Sequence, residues 1–360
     1  MSILLFSPFL KYGGAEKQFG KIRDILESSE VGFETISIDG AVIPKKSVFF
    51  EMLFRFFSVD VKSKKIIRFF KLPIYSFLFA IYAVKYKYKK VYAYSLYCLP
   101  ALMFLRFFSF LSSNRVEIIY SERIYNGFVK YSLKYPIIYS LFDVVVVNSD
   151  ELYLAFKNSK IKNLLLIRNY VVELEGSICC KKKDGVLRVA LIARINREKN
   201  QLFILKELAE GDFNVSGCDV LVRLYGEVDD EKYYSELNVY MVDGHVEHYV
   251  SKPLSEIYRD NDLVCLPSKY EGTSNVILEA MVNKKDFLCS NILSNLQIPV
   301  CGANFFPLEK SGFISTLNSF IDDNEESIKE VRNENYAVCI KKYGYETYSK
   351  KILELFELNT

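Results

Sequence analysis

One local pattern occurs twice in this 360-residue chain: an apolar run, a glycine or polar turn, and a stretch with helical spacing. The two copies comprise Ile3–Phe6, Gly13-Gly14 and 15–26, and then Val186–Ile192, 193–200 and 201–208. Neighbouring parallel strands need a long crossover connection, and a helix usually supplies it. The repeated strand–turn–helix order therefore predicts an α/β protein with parallel sheets. The length is sufficient for two such domains.

Further apolar runs of strand length alternate with segments long enough for helices. They are Thr35–Ile38, Val91–Tyr94, Val116–Tyr120, Val144–Asn148, Val220–Leu224, Leu263–Leu266 and Phe287–Ser290. Between the two halves, residues 172–185 lose this pattern and contain Glu, Ser, paired Cys and a lysine cluster, which indicates a linker. Residues 325–358 favour two helices. Each half is thus predicted to be a doubly wound domain.

Composition limits the cellular setting. Half of the residues are hydrophobic and a quarter are charged, which excludes general disorder. The longest apolar stretches, near 72–84 and 99–111, fall short of the roughly 20 residues that span a bilayer. Met1–Phe9 lacks a basic leader and a cleavage site, so we interpret it as a strand. The eight cysteines form no C-x-x-C pair, which fits a reduced cytoplasmic protein.

Charge is distributed unevenly along the chain. Met1–Glu175 contains 25 Lys and Arg against 15 Asp and Glu. Within Lys45–Phe110 there are thirteen basic residues and two acidic ones, interleaved with Phe-rich runs. This composition suits an anionic membrane surface, but it also fits aromatic core residues with a solvated basic rim. Nucleic acid is the weaker partner, because no known binding module accompanies the charge.

The most informative motif runs from Leu266 to Met281. A strand ends at Pro267-Ser268, a glycine loop follows, and Ser274 or Asn275 can cap a helix. The backbone N–H groups of such a helix start attract a diphosphate. Glu271 precedes the helix and Glu279 lies about one turn inside it, so both carboxylates can face the same pocket.

These residues resemble the paired-glutamate signature of retaining glycosyltransferases of family 4, which have the GT-B fold. The resemblance rests on Pro-Ser, Tyr-Glu-Gly and Leu-Glu-Ala-Met surrounding the two glutamates. It implies that Glu271 contacts the transferred sugar and Glu279 the nucleotide ribose. The loop and helix start, Gly272, Thr273, Ser274 and Asn275, would bind the donor.

A second similarity lies directly after the first strand of the second half. Cleaving the bond between sugar and diphosphate leaves a doubly charged group, which the protein must stabilise with positive charge if no metal does so. Arg194 and Lys199 resemble the family's pair for this task, and Ala193 replaces the usual glycine. Arginine binds phosphate with two donors and lysine acts as a point charge.

Three weaker matches complete the donor and acceptor assignments. Gly13-Gly14 resembles the family's N-terminal glycine loop, with Glu16 beside it as an acceptor contact. Gly226 follows a strand and is expected to line the nucleotide pocket, although a tight turn also explains it. In the first half, Glu122 occupies a place where many family members have a catalytic histidine, and Arg123 follows it as an acceptor ligand. A structural ion pair between these two residues is the other interpretation.

The resemblance implies two Rossmann-like doubly wound domains facing a central cleft. Residues 1–174 would bind the acceptor, 175–340 would bind the nucleotide sugar, and a C-terminal helix, 341–360, would return to the N-terminal domain. It also implies metal-independent transfer with retention, no cofactor, and a UDP-sugar donor. A saccharide or lipid-linked acceptor in bacterial surface polysaccharide synthesis is expected, at the inner face of the cell membrane.

Two other functions fit the same fold. A GT-B phosphorylase or nucleotide-sugar epimerase is one alternative, but such epimerases need histidine in the N-terminal half, where this sequence has none. A non-catalytic partner subunit is the other. The presence of Arg194, Lys199, Glu271 and Glu279 together argues against loss of activity.

Overall fold

The computed structural model describes residues 2–7, 14–59, 65–123, 129, 132–133, 136–159, 161, 163–174, 185–241, 244–302 and 304–357. The chain divides into two compact units. Unit 1 comprises Met1–Asn169 and Tyr348–Thr360, and unit 2 comprises Tyr170–Thr347. The predicted linker falls mainly on residues 175–184, which lie outside the described residues.

Unit 1 contains a parallel sheet whose strands, as far as the structure describes the chain, follow the order β2-β1-β3-β4-β5-β6. These strands are β1 (Ile3–Ser7), β2 (Phe33–Ser37), β3 (Lys90–Tyr94), β4 (Glu117–Glu122), β5 (Val144–Val147) and β6 (Leu164–Leu166). The helices are α1 (Gly14–Ser28), α2 (Val48–Phe57), α3 (Lys65–Lys85), α4 (Leu99–Leu111) and α5 (Asp150–Asn158), with short 3-10 turns at Leu96–Cys98 and Pro136–Leu141. Most strand residues are buried, as expected for a parallel sheet covered by helices.

Unit 2 contains a second sheet, ordered β10-β9-β7-β11-β12-β13 within the described residues. Its strands are β7 (Val186–Ile192), β8 (Asn214–Val215), β9 (Cys218–Tyr225), β10 (Val246–Tyr249), β11 (Leu263–Leu266), β12 (Asp286–Ser290) and β13 (Phe305–Phe306). The strands along this path pair in parallel, and only β8 pairs antiparallel, with β9, among the described strands.

The helices of unit 2 connect these strands and extend beyond the last one. They are α6 (Gln201–Ala209), α7 (Glu231–Asn238), α8 (Leu254–Asp260), α9 (Asn275–Val282), α10 (Leu293–Leu296), α11 (Gly312–Asp322), α12 (Glu325–Tyr343) and α13 (Tyr345–Leu355), the last of which continues into unit 1. In unit 2, the Cys339 thiol of α12 donates to the carbonyl of Leu278 in α9 at 3.5 Å. In unit 1, Lys351 Nζ of α13 donates to the carbonyl of Leu166 in β6 at 3.1 Å.

The predicted α/β class with two Rossmann-like units is confirmed. Two predicted strands, Val186–Ile192 and Leu263–Leu266, have the bounds of β7 and β11, and the other predicted strands differ by a few residues at their ends. The final two helices are also present. The sequence patterns did not indicate β6 or β10, because β6 is only three residues long and β10 contains Glu247 and His248.

Within the described residues, no helix is both long and apolar enough to cross a membrane. α3 has 21 residues, but its described part includes Lys71 and Lys85 together with Pro73.

Candidate donor site

The loop that carries Arg194 and Lys199 is attached to the neighbouring strand connection by backbone hydrogen bonds. The N–H of Ala193 donates to the carbonyl of Tyr225 at 3.0 Å, and the N–H of Ile195 donates to Glu227 at 2.9 Å. These bonds continue the pairing of β7 with β9 beyond the ends of both strands. The loop therefore lies at the carboxyl ends of the parallel strands, where α/β proteins bind their ligands.

Gly226 makes this close approach possible. It has a φ of 153°, and a Cβ placed on it would overlap the carbonyl of Ala193. The glycine is thus required by contact with the 193–200 loop, not only by a tight turn. It lies beside the predicted phosphate-binding loop.

Lys199 and Glu271, separated by 72 residues in the chain, form an ion pair with 2.5 Å between Nζ and Oε1. The hydroxyl of Ser268, a residue with no exposed surface, donates to the same carboxylate oxygen at 2.7 Å. A backbone bond of 2.8 Å from the N–H of Lys269 to the carbonyl of Glu198 joins the two loops. The structure thus brings together two residues that the motifs assigned separately.

Arg194 is held less tightly. Its Nη1 donates to Asp229 Oδ2 at 3.2 Å, and both side chains are about half exposed. The side chain of Asn196 also donates to Asp229, at 3.1 Å, and its Oδ1 accepts the backbone N–H of Lys199 at 3.0 Å. Because exposed ion pairs contribute little energy, an incoming diphosphate can compete for Arg194.

Helix α9 begins at Asn275, as the sequence predicts. The Oγ of Ser274 accepts the backbone N–H of Ile277, which makes Ser274 the N-cap. Gly272 and Thr273 lie in the preceding loop, directly after Glu271. The positive end of the helix dipole and its backbone N–H groups are thus placed beside the Lys199–Glu271 pair, an arrangement suited to binding an anion.

Glu279 lies on the second turn of α9, half-buried, where its Oε2 is 3.4 Å from the hydroxyl of Tyr258 in α8. Burial, and then the nearby Glu279 carboxylate, raise the pKa of Tyr258 well above its ordinary value. The phenol therefore remains protonated and donates to Glu279. This contact orients a carboxylate that can still accept further hydrogen bonds from hydroxyl groups.

In unit 1, Glu122 is buried at the end of β4. Its Oε2 accepts from the hydroxyl of Tyr120 at 2.7 Å, and its Oε1 accepts the N–H of Arg123 at 3.0 Å. Burial, followed by the Glu122 charge, raises the pKa of Tyr120 well above its ordinary value. Glu122 is thus already engaged by donors of its own strand, and its catalytic assignment stays a prediction.

Arg123 is also buried, and its guanidinium contacts other parts of unit 1. Nη1 donates to Asn169 Oδ1 at 2.9 Å and Nη2 to the hydroxyl of Tyr92 at 3.3 Å, while Tyr348 of α13 also interacts with it. These contacts tie the C-terminal helix to the sheet of unit 1. Acceptor binding by Arg123 stays a prediction.

The N-terminal glycine loop falls partly outside the described residues. Gly13 belongs to the residues that are not described, whereas Gly14 and Glu16 lie in α1. Their predicted contacts with donor and acceptor are therefore not tested.

Three polar residues at the site had no role in the sequence prediction. Ser268 and Asn196 lie inside the recognised motifs, and their position next to Glu271 and Lys199 is the signal that could have identified them. Asp229 follows Gly226 by three residues. His248, in β10, has its Nε2 2.9 Å from the carbonyl oxygen of Gly226 and its Nδ1 3.0 Å from the hydroxyl of Tyr234.

Among the described residues, no group of three or more His, Cys, Asp or Glu side chains is arranged to hold a metal ion. Lys199 pairs with Glu271 in the loop before α9, and Arg194 lies in the same 193–200 loop as Lys199. Both are cations that can neutralise a phosphate.

Residues 181–347 match the family model described as glycosyl transferases group 1. This segment contains every site residue discussed above in unit 2. A comparison with curated proteins gave no match.

Solved structures resemble the whole chain at low sequence identity. The Anabaena protein HepE, in a complex with UDP-glucose, is 18% identical with a TM-score of 0.71, covering 99% of both chains. The sucrose-phosphate synthase of Thermosynechococcus elongatus is 14% identical with a TM-score of 0.74, covering 99% of this chain and 98% of that one. The lipopolysaccharide outer core galactosyltransferase WaaB is 14% identical with a TM-score of 0.71, covering 99% of both chains.

The full-length structural neighbours show that the chain has the two-domain GT-B fold, and the family match covers the segment of unit 2 that contains the candidate donor site.

Proposed function

We propose that this protein transfers a sugar, with retention of configuration and without a metal, from a nucleotide-sugar donor to a saccharide or lipid-linked acceptor. The observation that carries the proposal is the Lys199–Glu271 pair beside the capped start of α9. It provides a cation for phosphate and a carboxylate for sugar hydroxyls, next to a loop that leads into a helix start with backbone donors. Each of these groups matches one part of a nucleotide sugar.

In this proposal the donor diphosphate binds at the N-terminus of α9, with Arg194 and Lys199 beside it. The negative charge on the leaving diphosphate grows as the glycosidic bond breaks, so these cations stabilise the transition state more than the bound donor. Glu279 would accept hydrogen bonds from the ribose, and Glu271 from the transferred sugar. The donor phosphate itself would help to accept the proton of the acceptor hydroxyl.

UDP is the favoured nucleotide, and the UDP-glucose in the HepE structure is consistent with this choice. Bacterial surface polysaccharide is the favoured product. The similarity to a lipopolysaccharide galactosyltransferase agrees with that setting but does not identify the acceptor. The proposed location is the cytoplasm, peripheral on the inner face of the cell membrane.

Two measurements on the pure protein test the proposal. Thermal unfolding with a panel of nucleotides should show a higher melting temperature with one of them. A ligand at 100 times its Kd adds about 2.7 kcal/mol to the free energy of unfolding. Incubation with radiolabelled sugar nucleotides should show slow hydrolysis that Lys199→Met reduces. A nucleotide that binds without any hydrolysis would point to a non-catalytic partner subunit instead.

A further inference from the structure

Three helices of unit 1 expose large apolar side chains to solvent. On α2 they are Val48, Phe49, Met52 and Phe56; on α3, Phe70, Ile74 and Phe77; and on α4, Met103, Phe107, Phe110 and Leu111. Apart from the adjacent pairs Val48-Phe49 and Phe110-Leu111, the spacing is three or four residues along each helix, so each set forms one stripe. The exposed fraction of these side chains reaches 86% at Phe110.

The opposite faces of the same helices are buried in the core of unit 1. Phe50 and Phe54 of α2, Tyr75 and Phe79 of α3, and Leu102 and Leu105 of α4 all belong to this core. Because the helices already fill the core with one face, the exposed stripes are additional apolar surface.

The three helices are neighbours, with α3 in contact with both α2 and α4. The ring of Phe77 on α3 contacts Phe104 and Phe108 on α4 edge to face, with centroid distances of 5.7 and 5.4 Å. At the other side of α3, Lys71 Nζ donates to the carbonyl of Phe56 at the end of α2. We call the exposed stripes of α2, α3 and α4 together the apolar face.

Positive charge lies beside the apolar face. Lys45 is exposed before α2, and Lys85 is exposed at the end of α3. Arg55 pairs with Glu51 at 2.9 Å and Lys46 with Glu34 at 3.7 Å, so these two cations add no net charge. Lys62 and Lys64, which the sequence also places here, lie outside the described residues.

The combination of apolar side chains and excess positive charge identifies the kind of partner. A second copy of this chain, docked through the same face by two-fold symmetry, would set lysines against lysines. An anionic lipid surface instead accepts the aromatic side chains at the acyl boundary and the lysines among its head groups.

We propose that the apolar face of α2, α3 and α4 is the surface through which unit 1 inserts into an anionic membrane. This inference deepens the proposed function, because it rests on the peripheral location and identifies the surface responsible. It assigns the main contribution to exposed Phe, Met and Leu side chains, whereas the sequence directed attention to the basic residues.

Vesicle co-sedimentation tests this surface with a matched pair of variants. In one variant Phe49, Phe107 and Phe110 become Ser; in the control, the exposed residues Val239, Leu293 and Leu296 of unit 2 become Ser. All six side chains are more than half exposed, so both variants should fold. We expect the first to bind vesicles of equal phosphatidylglycerol and phosphatidylcholine at least tenfold more weakly than wild type, and the control to bind normally.

Salt and lipid composition separate the two contributions. Raising salt from 0.1 M to 1 M shortens the screening length from about 10 Å to about 3 Å. Wild-type binding should weaken but persist at 1 M salt, and it should be lower on pure phosphatidylcholine. Binding that disappears completely at 1 M salt, or that the Phe variant retains in full, would overturn the proposal.

Two further readouts distinguish membrane insertion from dimer formation and from a loss of activity. If sedimentation velocity shows a dimer that the Phe variant converts to monomer and vesicles do not bind, the apolar face joins two copies and the lipid proposal is wrong. Hydrolysis of soluble sugar nucleotide, measured on the same variants, reports on unit 2. Normal hydrolysis without vesicle binding would refute only the membrane surface, whereas vesicle binding without hydrolysis would refute only the transfer reaction.

Discussion

At the scale of single residues, the candidate donor site is built from groups that already have partners. Lys199 is paired with Glu271, Arg194 with Asp229, and Glu279 with Tyr258. Such pairs hold the side chains near the positions in which they would bind the ligand. Less side-chain conformational entropy is then lost on binding. The more exposed pair, Arg194–Asp229, is the one that a diphosphate can exchange most readily.

Replacing Lys199 by Met is expected to lower kcat more than it raises KM. The lysine opposes charge that develops as the diphosphate leaves, and loss of one such group costs about 100- to 1000-fold in rate. Steady-state kinetics with the donor varied would measure both constants. Arg197→Met is the matched control, because Arg197 is an exposed neighbour paired with Glu236. A Lys199 variant with normal kcat and a raised KM would contradict the assignment.

Replacing Glu279 by Ala is expected to weaken donor binding about 10- to 150-fold. A hydrogen bond to a charged group contributes about 1.5–3 kcal/mol, and the carboxylate is assigned to the ribose hydroxyls. Isothermal titration calorimetry with the nucleotide measures the change. Glu330→Ala, at an exposed position on α12, should bind normally. Unchanged affinity in the Glu279 variant would remove the ribose assignment.

At the scale of elements, the site depends on the connection between two strand ends. The loop after β7 and the loop after β9 share backbone hydrogen bonds, and Gly226 allows them to approach each other. Asn196 then links the loop backbone at Lys199 to Asp229. The positions of both cations therefore depend on a tight backbone contact that carries no charge itself.

Substituting Gly226 by Ala should lower the free energy of unfolding of unit 2 by about 2–6 kcal/mol. The new Cβ overlaps the carbonyl of Ala193, and the residue's φ disfavours a side chain; each effect costs about 1–3 kcal/mol. Urea unfolding measures the decrease in the free energy of unfolding. Gly217→Ala is the control, since Gly217 has a φ of 76° with no heavy atom within 4 Å of the added Cβ, and only the backbone term of about 1–2 kcal/mol applies. Equal losses in both variants would show that the contact with Ala193 is not important.

At the scale of the whole molecule, each unit has its own sheet and core, and the final helix α13 continues from unit 2 into unit 1. The candidate donor-site residues Arg194, Lys199, Glu271 and Glu279 lie in unit 2, and the apolar face lies in unit 1. The proposed roles of these residues and of the apolar face therefore belong to different units, which variants can separate.

Activity is expected to persist in excess chelator. In the proposed reaction Arg194 and Lys199 neutralise the leaving diphosphate, so no divalent cation is needed for that step. The measurement is donor turnover with and without EDTA after dialysis. Complete loss that magnesium restores would require a different mechanism, with a metal bridging the phosphates.

Local features of the sequence were sufficient to determine the fold class and the start of the donor helix. Apolar runs of strand length defined β7 and β11, and the two candidate N-caps, Ser274 and Asn275, placed the beginning of α9 to within one residue, because these signals depend on residues near one another in the chain. Two separate motifs identified Glu271 with Glu279 and Arg194 with Lys199 as candidate site residues before any contact was known.

Only the tertiary structure decided which of these residues meet and which aromatic residues remain exposed. Lys199 and Glu271 are joined across 72 residues, and Gly226 is explained by a contact with Ala193 in another loop. From composition alone, the phenylalanines of α2 and α4 could be either core residues or exposed surface residues. Composition does not specify which face of a helix packs against the core. Whether a side chain is buried depends on which residues pack against it, and those residues are often distant in sequence. The local sequence pattern does not identify them.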